Sequence, residues 1–253
     1  MMKHAQGAAP AASLRQLRVH RGPFTLAIKK LNLMPGEVTC IVGPNGCGKT
    51  TLLLSLLGLL PHEGTCLING RRYDGSDPEV KSAIGFIPDD PELLFTELTA
   101  REQWSVTASV VARMRHTGLS KEDYMERALS LAASIGFEPP AQLAREYSHG
   151  MRKKTQIVQA LLGEPSVVII DELRNGLDPI AIHQTEQLIK NECDRGAAVC
   201  AATHDLWWAE RFADYIVVLD AGRIVAEGTA KQLIHEGEAD LEAAFHRIVG
   251  AAI

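Results

Sequence analysis

Eight consecutive residues, Gly43-Pro44-Asn45-Gly46-Cys47-Gly48-Lys49-Thr50, fit G-x-x-x-x-G-K-[ST]. Such a loop works only between a strand running in and a helix running out. The apolar run Val38–Val42 supplies the strand and Lys49–Leu60 the helix. The glycines let the backbone curl until successive N–H groups point inward, and the helix N-terminus adds partial positive charge. That is a cradle for phosphate oxygens. Lys49 neutralises the β- and γ-phosphates, the Thr50 hydroxyl suits Mg²⁺, and Thr51 completes the nucleotide-binding run.

The rest of the chain alternates short β-branched runs with helical stretches. Strands are expected at Cys66–Asn69, Ile84–Pro88, Val167–Asp171, Val199–Thr203 and Tyr215–Leu219. Runs such as Val167-Val168-Ile169-Ile170 are apolar throughout, as in strands of a parallel sheet covered by helices on both faces. This is an α/β pattern. Helix starts are marked by Asp178-Pro179, by Asp205, and by the capping boxes Thr99/Glu102 and Thr229/Gln232. Asp220-Ala221-Gly222-Arg223 reads as a hairpin turn. Residues 91–163 carry helical patterns and no strand, so they read as an all-helical subdomain inserted in one domain spanning 14–250. Residues 1–13 read as a loose tail.

The charge balance, 26 basic against 31 acidic residues, disfavours a nucleic-acid partner. Arg152-Lys153-Lys154 then reads as a solvated helix face beside the phosphate site. Five cysteines without a CxxC pair fit a reducing compartment. No run is long enough for a transmembrane helix, and residues 1–13 lack a signal-peptide core. The expected location is the cytoplasm, with any membrane role exercised through a partner. Cys47 sits at a helix N-terminus, which favours a thiolate; the plainer reading is a small residue tolerated in the loop.

Val167–Asp171 ends in two carboxylates, Asp171 and Glu172. Beside a phosphate loop, a carboxylate at a neighbouring strand end holds the metal and a second group orients attacking water. Asp171 suits the first role and Glu172 the second.

Four further segments resemble those of ABC-type ATPases, in the same order. They are Ile84–Asp89, Tyr147-Ser148-His149-Gly150-Met151 at the signature position, Asn175-Gly176-Leu177-Asp178 at the D-loop, and Thr203-His204-Asp205 at the switch histidine. The likeness implies a P-loop NTPase core: a largely parallel sheet with flanking helices, an antiparallel β-subdomain on the N-terminal side, and the inserted helical subdomain. It also implies two subunits, identical or different, sandwiching two ATP molecules. Ser148 and Gly150, with His149 aiding or merely filling a glycine's place, would face the ATP held by the second ATP-binding subunit. His204 would act with Glu172 and Lys49 in catalysis, Asp89 would reach the metal with Thr50 and Asp171, and Asp178 would tie the sites together. A separate transmembrane permease would receive the resulting motion, leaving this chain peripheral on the cytoplasmic face.

The sequence departs from the common pattern in three places. Tyr147, His149 and Met151 replace Leu, Gly and Gln, Asp89 stands where Gln is usual, and the adenine-stacking aromatic is open between Phe24 and His20. With Ile87-Pro88-Asp89-Asp90-Pro91 and Asp240–Phe245, these features resemble the ABC-2-type export ATPases of bacteria. The implied function is ATP hydrolysis powering export. A nucleotide-binding regulatory subunit with weak hydrolysis and a soluble non-transport ATPase are the alternatives.

Overall fold

The structure, a computed structural model, describes residues 8–115 and 117–250. A six-stranded sheet carries the molecule: β3 (Val38–Val42), β6 (Ile84–Ile87), β7 (Val167–Asp171), β8 (Ala198–Thr203), β9 (Tyr215–Asp220) and β10 (Arg223–Gly228). Their order is β10-β9-β3-β8-β7-β6, parallel except for β10, which forms the expected hairpin with β9. A second, antiparallel sheet has the order β2-β1-β4-β5, from β1 (Ala12–Arg21), β2 (Phe24–Leu33), β4 (Glu63–Ile68) and β5 (Arg71–Arg72).

The unbroken apolar strands are buried on both faces. In β7, Val168 and Ile170 join one core and Val167 and Ile169 the other; in β3, Cys40 and Val42 face the first and Ile41 the second. The antiparallel sheet and α1 (Lys49–Leu56) cover the second core. The first is covered by α3 (Ala100–Met114), α4 (Lys121–Ser134), α5 (His149–Leu161), α6 (Pro179–Asp194) and α7 (Leu206–Phe212). The short helices α2 (Pro78–Ser82) and α8 (Ala230–Leu233), and the C-terminal α9 (Leu241–Gly250), complete the described elements.

Between residues 91 and 163 the regular elements are α3, α4, a 3₁₀ turn at Ala144–Glu146 and α5. Trp104, fully buried, donates from its indole to the Thr155 carbonyl at 3.1 Å and meets Phe137 edge-on at 6.2 Å. Arg127 on α4 reaches the buried Glu192 on α6 at 2.9 Å, tying the helices to the sheet's covering layer.

Three expectations need correction. Part of the expected tail is strand: Ala12 and Ser13 are buried and pair with Leu33 and Asn32 of β2, while residues 1–7 lie outside the described residues. The helix after the loop stops at Leu56 instead of Leu60. Gly58 takes φ 66, and the Leu59 and Gly58 N–H groups close back on Leu54 and Ser55, a glycine-terminated cap. Lys153 is wholly buried, against the expected solvated face.

Candidate functional site

Parallel strands place their C-terminal ends on one edge of a sheet, and ligands bind outside that edge. Here β3 delivers Gly43–Thr50, β7 delivers Asp171 and Glu172, β8 delivers Thr203 and His204, and β6 delivers Asp89. The pairings Val42↔Thr203, Asp171↔Ala202 and Ile87↔Ile170 set these groups level with one another.

A cavity of about 410 Å³ opens over the loop. Asn45, Gly46, Gly48, Lys49, Thr50 and Thr51 line it together with Asp89, Asp171 and Glu172. Arg21 and Phe24 line it as well. The loop leaves no spare space at Gly43, where a Cβ would strike the Leu219 carbonyl and sit 2.6 Å from Cys47 Sγ. Gly48 takes φ 112 with Phe24 packed against it. Phe24, not His20, therefore adjoins the loop; His20 bonds Thr25 at 3.0 Å. Pro44 accepts the Cys47 N–H at 3.2 Å, closing the turn.

Lys49 Nζ donates to the carbonyls of Gly43 and Pro44 at 2.7 and 3.2 Å, folded over the cradle it borders. Thr50 Oγ1 donates to Asp171 Oδ2 at 3.3 Å. Burial, and then the nearby Asp89 carboxylate, push the Asp171 carboxyl above its usual range, so this site resists accumulating negative charge. Two hard oxygen donors of this kind suit Mg²⁺. Among the described residues no cluster of three or more His, Cys, Asp or Glu could hold an ion unaided. The donor set fits a metal arriving with nucleotide phosphates. Cys47 is buried, and desolvation pushes its thiol up, against the thiolate reading and in keeping with a small residue tolerated in the loop.

Glu172 is constrained through both backbone and side chain. Its backbone lies in the left-handed region at φ 49, where glycine is favoured. Five hydrogen bonds hold it there. Thr203 Oγ1 donates to Oε2 at 3.0 Å; the His204 backbone N–H and ring Nδ1 meet Oε1 at 3.1 and 2.8 Å. The Glu172 N–H donates to Ala202 O, and Lys153 Nζ donates to the Glu172 carbonyl. Both carboxylate oxygens are thus held by residues at the end of β8, while Glu172 lines the cavity and His204 stays mostly exposed.

The signature and D-loop residues lie outside this cavity. Ser148 caps α5, its Oγ accepting from Met151 N at 3.3 Å. The His149 ring fills the space a Cβ on Gly176 would need, and Gly150 approaches the Gly176 carbonyl. Tyr147 anchors the segment, its hydroxyl accepting from Ala100 N at 2.9 Å. Asp178 caps α6 through Ile180 N and Ala181 N, bonds that hold its carboxyl below the ordinary range. Asp89 is engaged: Asn175 Nδ2 donates to its Oδ1 at 2.7 Å.

Sequence reasoning missed the parts played by Thr203, Asn175, Arg21 and Lys153. Helical phase could have found Lys153, which lies one turn before the buried Ile157 on the inward stripe of α5.

A family model described as "ABC transporter" matches residues 27–175. The chain is 35% identical to the ABC-type transporter ATP-binding protein EcsA of Bacillus subtilis (strain 168), over 79% of each chain. It is 34% identical to the Nod factor export ATP-binding protein I of Cupriavidus metallidurans, over 81% of this chain and 66% of that one. A solved ATP-binding subunit of an ABC transporter superposes with TM-score 0.84 at 30% identity, covering 94% of this chain and 99% of that chain. An ATP-binding cassette in a dimeric post-hydrolysis state with ADP and Pi gives TM-score 0.73 at 25% identity, covering 86% and 98%. The chain therefore belongs to the ABC transporter ATP-binding family, whose members bind ATP and are in general ATPases.

Proposed function

We propose that this chain is the ATP-hydrolysing subunit of an ABC exporter, working as a head-to-tail pair beneath a separate membrane-embedded partner. The observation that carries this reading is the Glu172 carboxylate, fixed by Thr203 and His204 and lining the same cavity as Lys49. On nucleotide binding, Lys49 exchanges two carbonyl partners for phosphate oxygens, a charge-assisted contact. Thr50 and Asp171 would hold Mg²⁺, which would supply neutralisation of phosphate charge. Glu172 orients a water and accepts its proton as the new O–P bond forms at the γ-phosphorus and the bridging O–P bond to ADP breaks, giving ADP and phosphate. His204 keeps Glu172 aimed throughout. Ser148, His149 and Gly150 of the second subunit would close over the γ-phosphate.

A groove of about 440 Å³ suits the membrane partner. Phe86, Pro88, Leu93 and Val110 line it beside the loop after β6, and Leu93 and Phe95 are 62% and 64% exposed. No described helix is long and apolar enough to cross a membrane. On the family likeness, the spanning part is assigned to the partner, with this chain on the cytoplasmic face. Export is favoured by the ABC-2-type features of the sequence and by the relative named for Nod factor export.

One observation favours a second reading, a nucleotide-binding subunit with weak hydrolysis: Asp89 is occupied by Asn175. MgATP hydrolysis measured against protein concentration separates the two. The hydrolytic reading expects a rate rising faster than linearly and abolished by Glu172→Gln. Bound ATP without turnover, at every concentration and with the membrane partner present, would overturn it in favour of the second.

A further inference from the structure

Lys153 stands out among the charged residues for its burial: it has no solvent exposure and lies on α5, five residues after Ser148. Lysine is almost never fully buried unless paired. Its ammonium donates to the Pro88 carbonyl at 2.6 Å and to the Glu172 carbonyl at 3.0 Å. Those carbonyls belong to the peptides leading into Asp89 and out of Glu172. One side chain thus bridges the helix that starts at the signature to both strand ends that carry the cavity's carboxylates. Burial lowers its pKa to about 8, against the carboxylates of Asp89, Asp171 and Glu172, which all favour its charged form.

We infer that Lys153 is a positioning residue for hydrolysis: its charge offsets the three cavity carboxylates, and its two hydrogen bonds set the backbone that aims Asp89 and Glu172. The inference rests on the hydrolytic reading above. A plain packing role predicts something else. Replacement by an apolar isostere would then either be tolerated or loosen every property of the site together.

The test compares wild type with Lys153→Met, which keeps the stem, and Lys153→Gln, which keeps a neutral donor. Thermal unfolding checks that each variant folds. Mn²⁺ binding in the presence of ADP is read by electron paramagnetic resonance, and kcat and the ATP Kd are measured separately. Removing a positive charge beside three carboxylates should tighten Mn²⁺ binding about three- to tenfold in both variants. At the same time kcat should fall at least about thirtyfold, with the ATP Kd changed less than about threefold. Opposite movement of metal affinity and turnover is a result that general loosening does not give. Mn²⁺ binding that is unchanged or weaker, wild-type kcat in Lys153→Gln, or failure of both variants to fold would overturn the inference. A wild type that binds ATP without turnover would instead remove the hydrolytic reading, and the Mn²⁺ comparison would still decide the role of the charge.

Discussion

At the level of single residues, the site is built from side chains with little freedom. Lys49 is the positive charge of the loop, and Lys49→Ala should lower MgATP turnover about 10²- to 10³-fold, as loss of one transition-state donor does elsewhere; phosphate release checks it. Gly43 sits against Leu219 O and Cys47 Sγ, so Gly43→Ala should destabilise the fold by about 1–3 kcal/mol in urea titration. Cys47, buried with its thiol pushed up, should alkylate slowly with iodoacetamide at pH 7.5 until the protein unfolds. The sequence revealed the loop and the acidic pair because each is contiguous and its chemistry is set by residue type. It concealed Lys153, which stands between two other basic residues and differs from them only by helical phase. It also concealed Asn175 as the partner of Asp89, since that contact joins positions far apart in the chain.

Among the elements, the parallel strands were legible and the N-terminal hairpin was not, strand by strand. β1 loses its alternation at Gln16, which takes φ 51 where the pairing with β4 slips between Arg15 and Arg18. Apolar positions that should fall two apart are displaced there. α3 and α5 are stapled by one indole, and Trp104→Ala should destabilise the protein by about 3–5 kcal/mol, seen as a lower urea midpoint. α9 is secured by Glu238, which accepts from Arg247 Nε at 2.6 Å and from His235 N at 2.7 Å. These bonds hold its carboxyl at about 2 in the folded protein, against 4.5 ordinarily. The folded value is the lower one, so this contribution is complete above about pH 4.5 and is lost as pH falls toward 2. Thermal unfolding between pH 6 and 3 should show a shallower acid slope in Glu238→Gln, with the difference narrowing at high salt.

For the molecule as a whole, the proposed head-to-tail pair would supply the groups that one chain leaves away from its cavity. Ser148 and Asp178 spend their side chains capping helices, and neither lines the cavity. Glu172→Gln should accumulate an ATP-bound pair visible by light scattering, and a monomer under saturating MgATP would count against the head-to-tail arrangement. The same residue has another consequence. Its left-handed backbone stores about 1–3 kcal/mol that five hydrogen bonds must repay. Glycine would adopt that conformation freely, so relief of backbone strain at position 172 favours a residue that has no carboxylate. On the proposed mechanism, durability and turnover pull this position in opposite directions, and a glutamate there favours the second.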